Sequence, residues 1–220
     1  MPSPSRKIKP TRRSVSGHYP FRNAAMIAYE STLERDFIIL QESNVKVSGI
    51  VSQPVTIPFV LNGRTYRYTP DFLVFFRGNV PNGILVEVKP EEEWRTHWRS
   101  WLTKWKAAYR WAYERGYRFH IYDEKRIRGQ NLQNIRALQS FKNTALNPAD
   151  IETACRLILQ AGGMTVSDFL LCFPRSPAES TRLLWQLLSR GILETDLNLP
   201  LDNYSFLTIS LHYVEKNHGG

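Results

Sequence analysis

Cysteine is scarce in this chain. Cys155 and Cys172 are the only two among 220 residues, and neither has a CxxC neighbour. This excludes a disulfide framework and a cysteine-built zinc site, and it fits a reduced, intracellular protein. Long hydrophobic runs are also missing: no apolar stretch approaches the roughly 20 residues that span a bilayer, so no membrane is expected as a partner. The basic N-terminus is not followed by an apolar segment, so a secretory leader is not expected. Acid is absent from the front of the chain, where residues 1–29 hold six Lys/Arg and no Asp/Glu.

What is present is positive charge, unevenly spread. The net charge is +9 with a pI near 9.7. Residues 1–147 hold 24 basic and 12 acidic side chains, whereas residues 148–220 hold 5 and 8. A basic front implies nucleic acid as its partner, and an acidic back implies a partner of another kind.

The chain is organised around residues 68–90, YTPDFLVFFRGNVPNGILVEVKP. Asp71 opens one apolar strand; Glu87 and Lys89 lie near the end of the next. Side chains at i and i+2 of a strand share a face, so Glu87 and Lys89 point one way while Val86 and Val88 point the other. An antiparallel pairing through a turn over 77–83 brings Asp71 beside Glu87. Two adjacent carboxylates repel unless a cation lies between them, and hard divalent cations take oxygen ligands. A nearby lysine orients a water or stabilises charge on a phosphate. This is the PD-(D/E)xK nuclease pattern.

Taken in order, residues 1–23 read as a basic, Pro/Ser-rich flexible arm that neutralises phosphates. Residues 24–42 read as a helix with Glu30 and Glu34 on one face. Residues 45–60 read as a broken strand, and Asn62-Gly63 as a hairpin turn. Arg64–Phe76 reads as the second strand and Gly83–Lys89 as the third. The clearest helix covers 91–115, with Trp94, Trp98, Trp101, Trp105 and Ala108 as one stripe expected to pack on the sheet. Its basic opposite side (Arg99, Lys104, Lys106, Arg110) is expected to face DNA. A fourth strand follows over 117–123, with a structural His120. The nuclease unit is placed at 24–147, ending in a linker and a helix. Residues 148–220 read as a second unit of three helices and a two-stranded wing, a winged-helix-like arrangement. Few basic residues lie on its third helix, which favours docking to protein over reading DNA.

With those residues in place, the chain resembles the TnsA endonuclease subunit of heteromeric transposases, within the restriction-endonuclease-like superfamily. YESTLERDFI (29–38), QPVTI (53–57), YTPDFLV and ILVEVKP carry the resemblance over about residues 24–125. It implies an α/β fold with a restriction-endonuclease-like mixed sheet flanked by helices. The catalytic set it implies is Glu34, Asp71, Glu87 and Lys89, with Asp71, Glu87, Glu34 and the Val88 carbonyl as metal ligands. Glu30, one turn from Glu34, is the alternative helix carboxylate. Glu87 stands where the best-known family member has glutamine, and restores the carboxylate common in the superfamily. The resemblance further implies Mg2+, with Mn2+ able to substitute, and cleavage at the 5′ ends of a transposon. Its implied partners are transposon-end DNA, a DDE transposase subunit that cuts the 3′ ends and an AAA+ regulator, in the bacterial cytoplasm at the nucleoid. The short chain is similar to subunits of CRISPR-associated transposons. Two rival readings are a stand-alone restriction or repair nuclease and a catalytically inert DNA-binding assembly factor.

Overall fold

The computed structural model describes residues 15–78 and 82–218, with the side chains of 215–218 left aside. Most of the basic arm expected over 1–23 lies outside the described residues, as does the tip of the turn over 77–83. The chain divides into two compact units, one ending at Arg128 and the other starting at Gly129.

The first unit runs β1 (Gly17–Phe21), β2 (Ala25–Tyr29), α1 (Thr32–Ser43), β3 (Val47–Ser52), β4 (Ile57–Leu61), β5 (Arg64–Tyr68), β6 (Phe72–Phe76), β7 (Gly83–Val88), α2 (Glu91–Tyr113), β8 (Tyr117–Tyr122) and α3 (Glu124–Ile127). Its main sheet has the order β3-β6-β7-β8. The first three strands pair antiparallel, and β8 joins β7 in parallel through the helical crossover. Helices flank this mixed sheet, as in restriction-endonuclease-like folds.

The two faces of the sheet follow from the period of two. On one face Phe72 of β6 stacks on Phe37 of α1 with ring centroids 5.3 Å apart, and Tyr122 meets Phe37 edge-on at 5.0 Å. On the other face Leu73 and Leu85 pack with Trp105, Ala108 and Ala112 of α2. Each large apolar side chain buried this way contributes about 1.5–3 kcal/mol. Asp71 and Glu87 share the parity of Leu73 and Leu85, so they stand on the α2 face at one end of these strands.

Residues 24–31 do not continue a helix as their spacing suggests. Ala25–Tyr29 is β2, paired with β1, and α1 begins only after Ser31, whose side chain accepts from the Glu34 N–H. Glu30 is therefore not helical. The β1–β2 turn places Arg22 and Asn23 at φ of 50° and 55°. That strain is offset because the Arg22 guanidinium donates to the Glu42 and Asn44 carbonyls at the C-terminal end of α1 and to the Val47 carbonyl at the start of β3. The Glu42 carbonyl is one that a helix leaves unpaired, at the negative end of its dipole.

The stretch 64–76 is two strands, not one. Among the described residues β5 pairs only with β4, through the Asn62-Gly63 turn, and Thr69-Pro70-Asp71 breaks the chain before β6. Asn62 and Gly63 have φ of 50° and 73°, the left-handed pair that a two-residue hairpin needs. The tryptophan stripe of α2 packs unevenly: Trp105 is buried, Trp94 and Trp101 are half-buried, and Trp98 is 44% exposed.

The second unit runs α4 (Gln130–Gln139), α5 (Pro148–Ala161), β9 (Met164–Thr165), α6 (Val166–Cys172), α7 (Pro177–Ser189), β10 (Leu193–Glu194), β11 (Phe206–Ile209) and α8 (Leu211–His218). Its three short strands are ordered β10-β11-β9 and are antiparallel. Leu184, Leu187, Phe169, Ile158 and Leu207 form the core. Caps follow the sequence: Asn147, Thr165 and Ser176 begin α5, α6 and α7, and Ser176 forms a full capping box with Glu179. α4 belongs here because Leu138 enters this core and the Asn134 side chain donates to the Leu197 and Leu199 carbonyls. The division thus falls at 128/129, ahead of the 147/148 expected from sequence. Both cysteines are free thiols.

Candidate active site

The site begins with the backbone of Asp71. Its N–H donates to the Val86 carbonyl at 3.0 Å, and its carbonyl accepts from the Gln53 N–H at 2.7 Å. The β6/β7 register pairs Phe72 with Val86 and Leu73 with Leu85. Continued by one residue, it sets Asp71 opposite Glu87. The Asp71 Oδ2 also accepts from the Val88 N–H at 2.7 Å. Asp71, just ahead of β6, is thereby fixed from both sides, by β7 and by the residue that follows β3.

Glu87 is 2% exposed, rare for an unpaired carboxylate, and its partners explain the burial. Oε2 accepts from the Tyr68 hydroxyl at 2.6 Å. Oε1 lies 3.9 Å from Lys89 Nζ and 3.6 Å from Lys104 Nζ. Lys89 shares the Glu87 face, as the strand period requires, and its N–H donates to the Tyr122 carbonyl at 3.0 Å.

Glu34 sits in the first turn of α1. Its Oε2 accepts from the Glu30 N–H at 2.8 Å and its Oε1 from the Ser31 hydroxyl at 3.0 Å, which ties it to the residues just ahead of the helix. Its charge is felt at both Asp71 and Lys89, whereas that of Glu30 is felt at Glu34.

These neighbours shift the protonation equilibria. Burial, then repulsion from Glu87 and from Glu34, pushes the Asp71 carboxyl well above the usual carboxylate range. Burial raises Glu34 as well, against its two hydrogen bonds. Burial pulls Lys89 down, but Asp71 and Glu87 more than offset it, and its ammonium is held above the ordinary value. Burial and then the Glu87 charge keep the Tyr68 hydroxyl protonated, so it remains a donor.

The structure thus brings Asp71, Glu87 and Lys89 together, with Glu34 in electrostatic reach. It adds two residues that sequence reasoning missed: Tyr68, and Lys104 of α2. Lys104 does not face outward with Arg99, Lys106 and Arg110; its side chain is 19% exposed and turned to Glu87. Among the described residues, no group of three or more His, Cys, Asp or Glu lies together so that it could hold a metal ion. Nor is any helix among them long and apolar enough to cross a membrane.

Residues 44–124 match the family model described as TnsA-like endonuclease N terminal. Over that stretch the chain is a TnsA-like endonuclease domain. The match contains Asp71, Glu87, Lys89, Tyr68 and Lys104, and leaves Glu34 and the second unit outside it. A TnsA-like domain over this stretch suggests a nuclease in transposition and implies a transposase system with other Tns subunits. A search of curated proteins returned no match to the chain.

Proposed function

We propose that this chain is a divalent-metal-dependent DNA endonuclease that cuts the 5′ ends of a transposon during cut-and-paste excision. It acts beside a DDE transposase that cuts the 3′ ends and an AAA+ regulator. The observation that carries the reading is the pairing of Asp71 against Glu87 with Lys89 beside them.

The donor set suits Mg2+, with Mn2+ as a substitute. Asp71 and Glu87 offer hard oxygens whose mutual repulsion a cation relieves. In an extended strand the N–H and C=O of one residue point to the same side, so the Val88 carbonyl faces the Asp71 edge with its N–H. Glu34, hydrogen-bonded to the Glu30 N–H and the Ser31 hydroxyl just ahead of α1, would complete the set directly or through water. When bound, the ion supplies an acidified water and charge neutralisation at the scissile phosphate. The chain supplies the rest. Lys89, held cationic by its carboxylate neighbours, orients the attacking water and stabilises negative charge that develops on phosphate oxygens. Tyr68 and the β3–β6–β7 hydrogen bonds fix the two carboxylates before substrate arrives.

The second unit is read as winged-helix-like from its helix–strand–helix–helix–strand–strand order and its β10-β11-β9 sheet. It holds 7 basic and 8 acidic side chains from residue 129 on, and this lack of net positive charge, with the exposed Leu171, Tyr204 and Phe206, favours a protein partner, such as the transposase or its regulator.

The test is cleavage of end-labelled transposon-end DNA in Mg2+, with and without the cognate transposase. Strand-specific 5′ cutting is expected with the partner and is expected to vanish in Asp71→Ala and Lys89→Ala. Undiminished cutting by either variant defeats the site assignment. Cutting by the chain alone points to a stand-alone nuclease, and none in either mixture to an assembly factor.

A further inference from the structure

Lys104 is set apart from the other basic residues of α2. Arg95 is spent on an ion pair with Glu91 at 2.7 Å, Arg99 lies over Trp98 at 5.3 Å, and Lys106 and Arg110 are exposed. The Lys104 ammonium instead sits among three aromatic rings, 4.5 Å from the centroid of Trp101, 4.9 Å from Tyr68 and 5.9 Å from Trp105. Its Nζ is 3.6 Å from Glu87 Oε1. A lysine that meets DNA by simple charge attraction is a flexible, solvated side chain. This one is held on every described side, by ring faces that attract a cation and by a buried carboxylate. Tyr68 belongs to both arrangements: its ring faces Lys104 and its hydroxyl holds Glu87 Oε2. Glu87 is therefore held at one oxygen by Tyr68 and flanked at the other by Lys104 at 3.6 Å and by Lys89 at 3.9 Å, with Tyr68 and Lys104 coming from two elements that meet on the same face of the sheet.

We propose that Lys104 is a positioning residue of the nuclease site: it clamps the Glu87 carboxylate from α2 and stands as a fixed positive charge beside the ion that Asp71 and Glu87 hold. The inference rests on the metal-dependent reading above. It carries a distinctive consequence, because the two effects of Lys104 oppose each other at the ion. The clamp keeps Glu87 in its working orientation, while the ammonium repels a divalent cation. Removing the charge makes the ion bind more tightly and the chemistry run more slowly. A lysine that only packs among the rings produces neither effect when replaced by methionine. A lysine that only contacts DNA weakens DNA binding and leaves the ion untouched.

The measurement is calorimetric titration of Mn2+ into the full, DNA-free chain, for wild type, Asp71→Asn, Lys104→Met and Lys104→Arg. Methionine keeps the length and apolar stem of lysine, and arginine keeps the charge. Lys104→Met is expected to bind Mn2+ about fivefold or more tightly than wild type. Single-turnover cutting with the partner transposase is expected to slow about tenfold or more. Lys104→Arg is expected to move both values back toward wild type. Wild-type binding that Asp71→Asn abolishes, together with Lys104→Met binding at the wild-type affinity or weaker, overturns the role of Lys104 while leaving the metal site standing. No Mn2+ binding by wild type overturns the metal-dependent reading itself. Should Lys104→Met fail to fold, Lys104→Gln, neutral and still polar, is held to the same expected tightening.

Discussion

Tyr68→Phe removes one oxygen atom, and the structure says what that atom does. Its hydroxyl donates to Glu87 Oε2 at 2.6 Å in a setting where Tyr68 is 6% and Glu87 2% exposed. The ring itself remains, and with it the packing beside Ile57, Leu73 and Trp105 and the contact with Lys104. The change therefore isolates a hydrogen bond to a buried charge, a class worth about 1.5–3 kcal/mol. Water does not readily replace the donor at so buried an oxygen. Taking about 2 kcal/mol over a nuclease unit of roughly 130 residues gives a fall in Tm of roughly 7 °C. The assay is thermal unfolding by circular dichroism in EDTA, repeated in Ca2+, which binds oxygen ligands without the need for turnover. The gap is expected in EDTA and is expected to narrow in Ca2+, because an ion at Glu87 takes over part of the lost stabilisation. A Tm within about 1 °C of wild type in EDTA refutes the argument that Glu87 is a buried, hydrogen-bonded carboxylate.

The other perturbations act on the same strand pair. Asp71 has its folded-state pKa raised by burial, Glu87 and Glu34, so its contribution to stability is full below the usual carboxylate range, about pH 4, and is lost as pH rises through the raised value. Asp71→Asn lacks that loss. In EDTA its stability advantage over wild type is expected to grow from acid toward neutral pH, reaching on the order of 1 kcal/mol or more; an advantage that shrinks as pH rises contradicts the sign. Gly83→Ala places a Cβ 2.6 Å from the Val74 carbonyl oxygen and 3.1 Å from the Tyr117 ring. Backbone cannot swing aside, so urea denaturation is expected to show a loss of about 1–3 kcal/mol, with cleavage reduced because the β6/β7 register that opposes Asp71 to Glu87 is disturbed. Unchanged stability in that variant means the strands are not held as closely as described.

The heart of the site was legible because its information is local. Asp71, Glu87 and Lys89 lie on one hairpin, and a period of two decides which of them share a face. The pattern of Leu73 and Leu85 inward on one side and Phe72 and Val86 on the other follows from the same arithmetic. Failures came where a partner strand had to be known. Ala25, Ala28, Tyr29 and Leu33 recur near helical spacing, yet Ala25–Tyr29 pairs with Gly17–Phe21, a segment that composition had assigned to a flexible arm. Lys104 had a weak signal that went unused. It lies three residues after Trp101 and one before Trp105, which puts it on the flank of the aromatic stripe and not opposite it. Tyr68 had none, since whether a strand-end tyrosine turns toward a carboxylate on another strand is set by tertiary packing alone.

The residue at 87 explains why these two groups are present. An amide there carries no charge and can be buried with ordinary hydrogen bonds. A carboxylate buried to 2% exposure cannot stay without compensation, because an uncompensated buried charge costs several kcal/mol. Here the compensation comes from outside the hairpin motif, as a hydroxyl from β5 and an ammonium from α2. The compensation stops at Glu87. Asp71, facing the same strand pair, keeps a raised proton affinity because burial, and then repulsion from Glu87 and Glu34, still disfavour its charge. On the proposed chemistry that imbalance is useful: one carboxylate is fixed and neutralised in advance, and the other is left to respond when a divalent ion arrives with DNA. Local strain of this kind is what a fold tolerates at a functional site and removes elsewhere.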